Sequence, residues 1–332
     1  MRQGASSEAL GQIVIYRGAV VDNMIDAVLS GDIVRVRICI ENDYNINEVD
    51  EFGNNALMLA ISEGFIHAVP ELIKAGIDVD HANNENETVL AWAVQDGFVD
   101  VVRMLLNAGA DVDRSVCDGE TALIWSVYCL FGYLIVTKEL LSEGADVNIA
   151  GEGVSTVLIE VAKLGFTETL EMLIKHNADV NKVGWNGNTA LIEAARSNHR
   201  ECVRILLKHS SLLNHVDNNG NNALIEAVNH CHNDIVTDLI TAGIDVTQVN
   251  NARETALTLA AKALEIDLLN PECMEEIMHA LVNAGEEPEQ AATRGIEGQS
   301  AHSQAWLRFF KSEVSSPNDI IESSCIQSWA HT

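Results

Sequence analysis

The chain has 332 residues, 47% of them hydrophobic, and a formal net charge of −29 from 49 acids against 20 lysines and arginines. This content is enough for a buried core, while the charge works against nucleic-acid phosphates and anionic lipid and favours basic protein surfaces. Residues 286–332 hold seven acids and three bases, so nearly all of the charge lies on the rest of the chain and not in an acidic tail.

The first residues, MRQGASSEALGQ, lack the apolar segment of a signal peptide. Seven cysteines (Cys39, Cys117, Cys129, Cys202, Cys231, Cys273 and Cys325) fall at wide spacings with no CxxC pattern. Reduced thiols and a cytoplasmic location are the expectation. Residues 1–19 are expected to be an extension. Residues 22–47 then form a first helical unit, with Met24 at its start and Gly31 at its turn.

From there the chain repeats itself. Leu57, Leu90, Leu123, Leu158, Leu191, Leu224 and Leu257 each follow a Thr or Asn and a small residue, at steps of 33, 33, 35, 33, 33 and 33. Asn47, Asp80, Asp113, Asn148, Asn181, Asn214 and Thr247 close the units at the same steps. Two markers locked in phase identify a repeat array. Thr88, Thr121, Thr189 and Asn222 are expected to cap a first helix. Gly64, Gly97, Gly132 and Gly165 break it, and a second helix follows with apolar residues such as Val101, Val102, Leu105 and Leu106 at helical spacing. Gly76, Gly109, Gly144 and Gly243 end the second helix, and a polar hairpin leads on. A single helix pair cannot bury its own apolar face, so stacked pairs must share a core.

Residues 123–136, LIWSVYCLFGYLIV, carry no charge. They are too few to span a bilayer, and Gly132 interrupts them. This unit has two extra residues before Gly132, which are expected to lengthen or bulge its first helix. Ile124, Val127 and Ile135 are expected to face the core, leaving Trp125 and Tyr128 outward. The last unit starts at Thr255, carries about nine extra residues near EIDLLNPE, and ends at Gly285. Repetition stops by 291–332, where HSQAWLRFFK (302–311) is expected to be a capping helix and the final residues a loose tail.

The period, the helix–turn–helix–hairpin parse and the closing strings GADVD, GADVN and NADVN resemble the ankyrin-repeat family over roughly 20–290. The resemblance implies an all-α repeat solenoid of about eight repeats including caps. It departs from the family's T-P-L-H start: Ala or Val replaces Pro, and Met58, Ala91, Ile124, Ile159, Ile192, Ile225 and Thr258 replace His. The threonine-to-histidine hydrogen bond is therefore expected to be absent, with aliphatic packing in its place.

Catalytic signatures such as GxxxxGK[ST], GxSxG and HExxH do not occur, so the expectation is a non-enzyme without cofactor or metal. NHCHND (229–234) groups His230, Cys231 and His232. Adjacent ligands point apart, and His232 falls at the packing position held by Phe65, Phe98 and Phe166. The resemblance implies protein binding on hairpin tips and outward positions of the first helices. Two residues after the repeat leucine stand Trp92, Trp125, Glu160, Glu193 and Glu226. With Asp96, Tyr128, Phe52 and Trp185, they suggest an aromatic anchor zone and an acidic strip for a basic or extended protein segment. An alternative is a bacterial effector acting on a host protein in the host cytosol. Another is an asparaginyl hydroxylase substrate at Asn148 and Asn181, each with Leu eight residues earlier and an acid and Val before it. A capped solenoid is expected to be monomeric.

Overall fold

The computed structural model describes residues 23–116, 119–128, 133–151, 155–209, 212–265 and 271–286. The expected extension at 1–19, the capping helix at 302–311 and the tail lie outside the described residues. So do Cys117, Asp118, Cys129, Phe131 and Gly132. The chain divides into two units, Met1–Val157 and Leu158–Thr332.

The first unit is built from helix pairs: α1 (Met24–Leu29) with α2 (Ile33–Glu41), α3 (Ala56–Ser62) with α4 (Val69–Lys74), α5 (Val89–Gln95) with α6 (Val99–Asn107), and α7 (Ala122–Ser126) with α8 (Tyr133–Ser142). First helices pack on first helices, α1 on α3, α3 on α5 and α5 on α7, while α4 packs on α6 and α6 on α8. The second unit follows the same plan: α9 (Val157–Leu164) with α10 (Thr167–Lys175), α11 (Ala190–Arg196) with α12 (Arg200–His209), α13 (Ala223–Asn229) with α14 (Asn233–Thr241), and α15 (Ala256–Glu265) with α16 (Pro271–Asn283). There α11, α13 and α15 stack in one row and α10, α12, α14 and α16 in the other.

The sequence explains where four of the first helices, α5, α7, α11 and α13, start. Thr88, Thr121, Thr189 and Asn222 stand in extended backbone, and each side-chain oxygen accepts the amide N–H three residues on, at 3.2, 3.5, 3.4 and 2.9 Å. Such a cap satisfies an amide that no helical carbonyl can reach and contributes about 1 kcal/mol. In the last unit Thr258 stands at the position where the family has histidine and rebuilds a reciprocal bond. The Thr255 N–H donates to Thr258 Oγ1 at 2.7 Å, and the Thr258 N–H donates to Thr255 Oγ1 at 3.3 Å.

Small residues on the first helices (Ala91, Ala93, Ala194, Ala195, Ala227 and Ala260, all fully buried) let these short helices approach closely. Val101, Val102, Leu105, Val203, Leu206, Val236 and Leu239 fill the space from the second helices and are 1% exposed or less. Each such aliphatic side chain contributes about 1.5–3 kcal/mol by leaving water.

Polar hairpins join the pairs by a repeated backbone pattern. Asp50, Asn83, Val116, Gly184, Asp217 and Asn250 each donate N–H to the carbonyl four residues on, at 2.8–3.0 Å. Within each unit, hairpins also bond to the next hairpin: the Asn84 N–H donates to Phe52 O at 3.0 Å and the Asn251 N–H to Asn219 O at 2.8 Å. Closing residues of the first unit do the same by side chain. Asn47, Asp80 and Asp113 accept the N–H groups of Asp78, Asp111 and Asp146 at 2.8–2.9 Å.

Of the expected lengthening or bulging of the first helix in 123–136, lengthening does not occur, since α7 has 5 residues against 7 in α3 and α5, while the place expected for a bulge lies outside the described residues. Ser126 Oγ donates back to Leu123 O at 2.7 Å and lies 2.8 Å from Thr137 Oγ1. A hydroxyl that binds its own helix competes with continuation, and Tyr128 N–H closes a tighter turn on Trp125 O. Ile124 and Val127 are buried as expected, but Ile135 is 51% exposed.

Candidate protein-binding face

Three of the candidate positions on the first helices, Trp92, Glu193 and Glu226, share one local geometry. The fourth helical residue lies against the residue just before the helix cap, five positions earlier. In α5 this pair is Trp92 and Glu87: the indole Nε1–H donates to Glu87 Oε2 at 3.0 Å. Glu87 is itself held by Asn83, whose Nδ2 donates to Oε2 at 2.8 Å and whose Oδ1 accepts the Glu87 N–H at 2.9 Å. Trp92 is half-buried, anchored at its polar edge, while Asp96 one turn later is exposed.

Trp125 occupies the same position on α7 and is also half-buried. Glu120 stands where Glu87 stands, yet among the described residues Trp125 Nε1 is buried and finds no acceptor. Tyr128, three residues on, is 51% exposed. The first unit therefore presents Trp92, Asp96, Trp125 and Tyr128 on adjacent first helices that pack together. Phe52 stands at a hairpin tip of the same unit, 64% exposed.

In the second unit the same contact reverses its polarity. Asn188 and Asn221 take the place of Glu87, and Glu193 and Glu226 take the place of Trp92. Asn188 Nδ2 donates to Glu193 Oε1, and Asn221 Nδ2 to Glu226 Oε1 at 2.7 Å. Arg196 joins the two repeats, donating to Glu193 at 2.9 Å, to Glu226 at 3.0 Å and to Asp217 at 3.3 Å. Burial opposes the Arg196 charge, but the Glu226 hydrogen bond and the three carboxylates outweigh it and raise its pKa. Lys163 lies 3.5 Å from Glu160.

Glu160, Glu193 and Glu226 are only 8%, 8% and 5% exposed. The expected open strip of acids is thus sheltered, and Glu193 and Glu226 are tied into a network by Asn188, Asn221 and Arg196. Trp185, by contrast, is 64% exposed at its hairpin tip.

The hairpin asparagines take part in bonds to neighbouring aspartates through their backbone amides. Asn148 N–H donates to Asp146 Oδ1 at 2.8 Å, and Asn181 N–H to Asp179 Oδ1 at 2.9 Å. Asn181 Oδ1 also accepts the Leu212 N–H at 3.2 Å.

Histidines at the position after the turn bind carbonyls of the preceding first helix. The His199 ring lies 3.0 Å from Lys163 O, and His232 Nδ1 lies 2.8 Å from Ala195 O. Burial pushes the His232 pKa down, with the Ala195 bond opposing. Cys39 and Cys202 are buried free thiols whose pKa burial raises. Cys231 and Cys273, by contrast, are brought together at one place, with Cα atoms 6.4 Å apart. No sequence spacing pointed to this pair, because it depends on the inserted residues of the last repeat. The Arg196 relay was also missed. Its only sequence signal was an arginine three residues after Glu193.

Among the described residues, no helix is long and apolar enough to cross a membrane. No curated protein matches the sequence. The family model described as ankyrin repeats (3 copies) matches residues 24–116, 129–213 and 158–250, which together are more than half of the chain. With the paired helices and bonded hairpins described above, this match shows that the chain belongs to the ankyrin-repeat family.

Proposed function

We propose that this chain acts by binding a protein partner with a basic surface or an extended basic segment, as a monomer and without chemistry of its own. Ankyrin repeats are in general protein–protein interaction modules, and the family is typically non-catalytic. The observation that carries this reading is the pair of half-buried tryptophans on adjacent first helices, Trp92 and Trp125, with exposed Asp96 and Tyr128 beside them. Rigid aromatic groups that keep one face in water are what binding hot spots use. The net charge of −29 supports a basic partner through steering. Glu193 and Glu226, sheltered and paired with Arg196, support their own helices in this reading and are not direct contacts. Phe52 and Trp185 are outer contacts at the hairpin tips. A cytoplasmic setting, or a host cytosol for a bacterial effector, suits such a role.

The test is capture of binding proteins by the wild type and by a Trp92→Ala/Trp125→Ala variant, with circular dichroism to verify folding. The expectation is loss of the captured partner in the variant, and weakening of wild-type capture with salt. Equal capture by a folded variant refutes the site.

A second reading, asparaginyl hydroxylation at Asn148 and Asn181, is favoured by the surroundings of Asn181. Val183 and Leu212 beside it are 43% and 39% exposed, leaving apolar handles for an enzyme. Absence of an added oxygen on either residue after hydroxylase treatment, read by mass spectrometry, rejects it.

A further inference from the structure

We infer that Cys231 and Cys273 form a reversible redox site. In its oxidised state, a disulfide fastens the second helix of the last repeat to the turn of the repeat before it. The oxidant is a small-molecule disulfide of the glutathione class.

Three observations carry this. The first is the backbone at Cys231, which has φ 60°. It fills the turn between α13 and α14, where the corresponding positions are Gly64, Gly97, Gly165 and Asn198. Those residue types tolerate left-handed backbone, whereas a cysteine there is conformationally costly.

The second is register. Gly243 and Gly285 end α14 and α16, and the two cysteines have the same sequence separation as those glycines, 42 residues. Cys273 therefore repeats the position of Cys231. The inserted residues of the last repeat let α16 run for 13 residues, against 9 in α14. This longer start carries Cys273 back over the preceding turn. The third is proximity: the Cα atoms stand 6.4 Å apart, within the reach of a disulfide. Cys273 Sγ also lies 2.9 Å from Asn233 Oδ1, on the first turn of α14. Both cysteines are half-buried, so a small reagent can reach them, while Cys39 and Cys202 are enclosed.

The exchange balances as two substitutions at sulfur. The Cys231 thiolate attacks the small disulfide, forming a mixed disulfide and releasing one small thiolate. The Cys273 thiolate then attacks the Cys231 sulfur, closing the protein disulfide and releasing the second. Two protein thiols are oxidised, one small disulfide is reduced to two thiols, and the protons pass to the released thiolates. In a reducing cytoplasm the pair rests open, and oxidation closes it. Closure ties a loop that holds α14, the next hairpin and α15, so α16 can no longer peel away on its own.

The full chain should be equilibrated with reduced or oxidised glutathione, digested without reduction and mapped by mass spectrometry. Hydrogen exchange of the α16 amides is measured in parallel. Oxidation is expected to produce a peptide linking residues 231 and 273 and to slow α16 exchange about tenfold or more. Neither change is expected in Cys273→Ser or Cys231→Gly, the latter placing the turn's favoured residue at φ 60°. Free thiols at both positions, glutathione retained on Cys231 without closure, or a link with unchanged α16 exchange would each overturn the proposal.

Discussion

Replacing Arg196 with Met should be among the most damaging single changes in the second unit. Its guanidinium reaches Glu193, Glu226 and Asp217, whose side chains are 10%, 6% and 2% exposed, while its own is 28% exposed. Removing it strands three sheltered carboxylates. Each hydrogen bond to a charge contributes about 1.5–3 kcal/mol. The 3.3 Å contact to Asp217 is the weakest of the three. Taking one partner from a buried ionic network costs about 3–5 kcal/mol, and the partial exposure of Arg196 brings the expectation to about 3 kcal/mol.

Urea unfolding followed by circular dichroism measures this in the wild type, Arg196→Met, Glu226→Gln and the double variant. The double variant should recover at least about 1 kcal/mol relative to additivity, because one stranded charge is gone. A loss under about 1 kcal/mol, or strict additivity, would refute the reasoning.

His232 makes the fold pH-dependent. Burial lowers its pKa, so as pH falls the unfolded chain takes up the proton first; stability is full above the ordinary histidine range and declines through it. His232→Phe, which copies the residue type of Phe98 and Phe166, should flatten the melting temperature between about pH 7.5 and 5. An unchanged slope would reject this assignment. Gly187→Ala combines φ 76° with a methyl 2.6 Å from Asn218 Oδ1 and should cost roughly 2–3 kcal/mol. Gly144→Ala has φ 89° but open space, so it should cost only about 1 kcal/mol; equal losses in denaturant would contradict the contact argument. Thr88→Ala removes the 3.2 Å cap on α5 and should lower stability by about 1 kcal/mol in the same assay, and no loss would deny the cap a role.

The helix pairs were legible because their signals are local and repeat in phase: a capping Thr or Asn, a glycine at the turn, an apolar row on the second helix. Burial of Leu105 or Leu239 needs only that pattern. The state of Glu193 and Glu226 was not legible, because it depends on Asn188 and Asn221 across the cap and on an arginine that spans two repeats. Trp92 shows the same limit. Its position was readable, but its anchoring by Glu87 and Asn83 is a matter of hairpin geometry. Ile135 failed for a related reason: helical spacing around residues 129–132 cannot be counted through an insertion.

The pair that spans each first-helix cap has an engineering consequence. Glu87 with Trp92 and Asn221 with Glu226 make the same bond from opposite ends, on backbones with the same cap and the same hairpin bond. The pair is thus a two-letter cassette wherever the hairpin geometry admits the bond, a further condition that Trp125 with Glu120 does not meet. Writing the tryptophan version into the second unit, with Arg196 adjusted to the lost carboxylate, would extend the aromatic surface by one repeat. If this face binds as proposed, its specificity changes with residues five apart, with no new loop and no change of register.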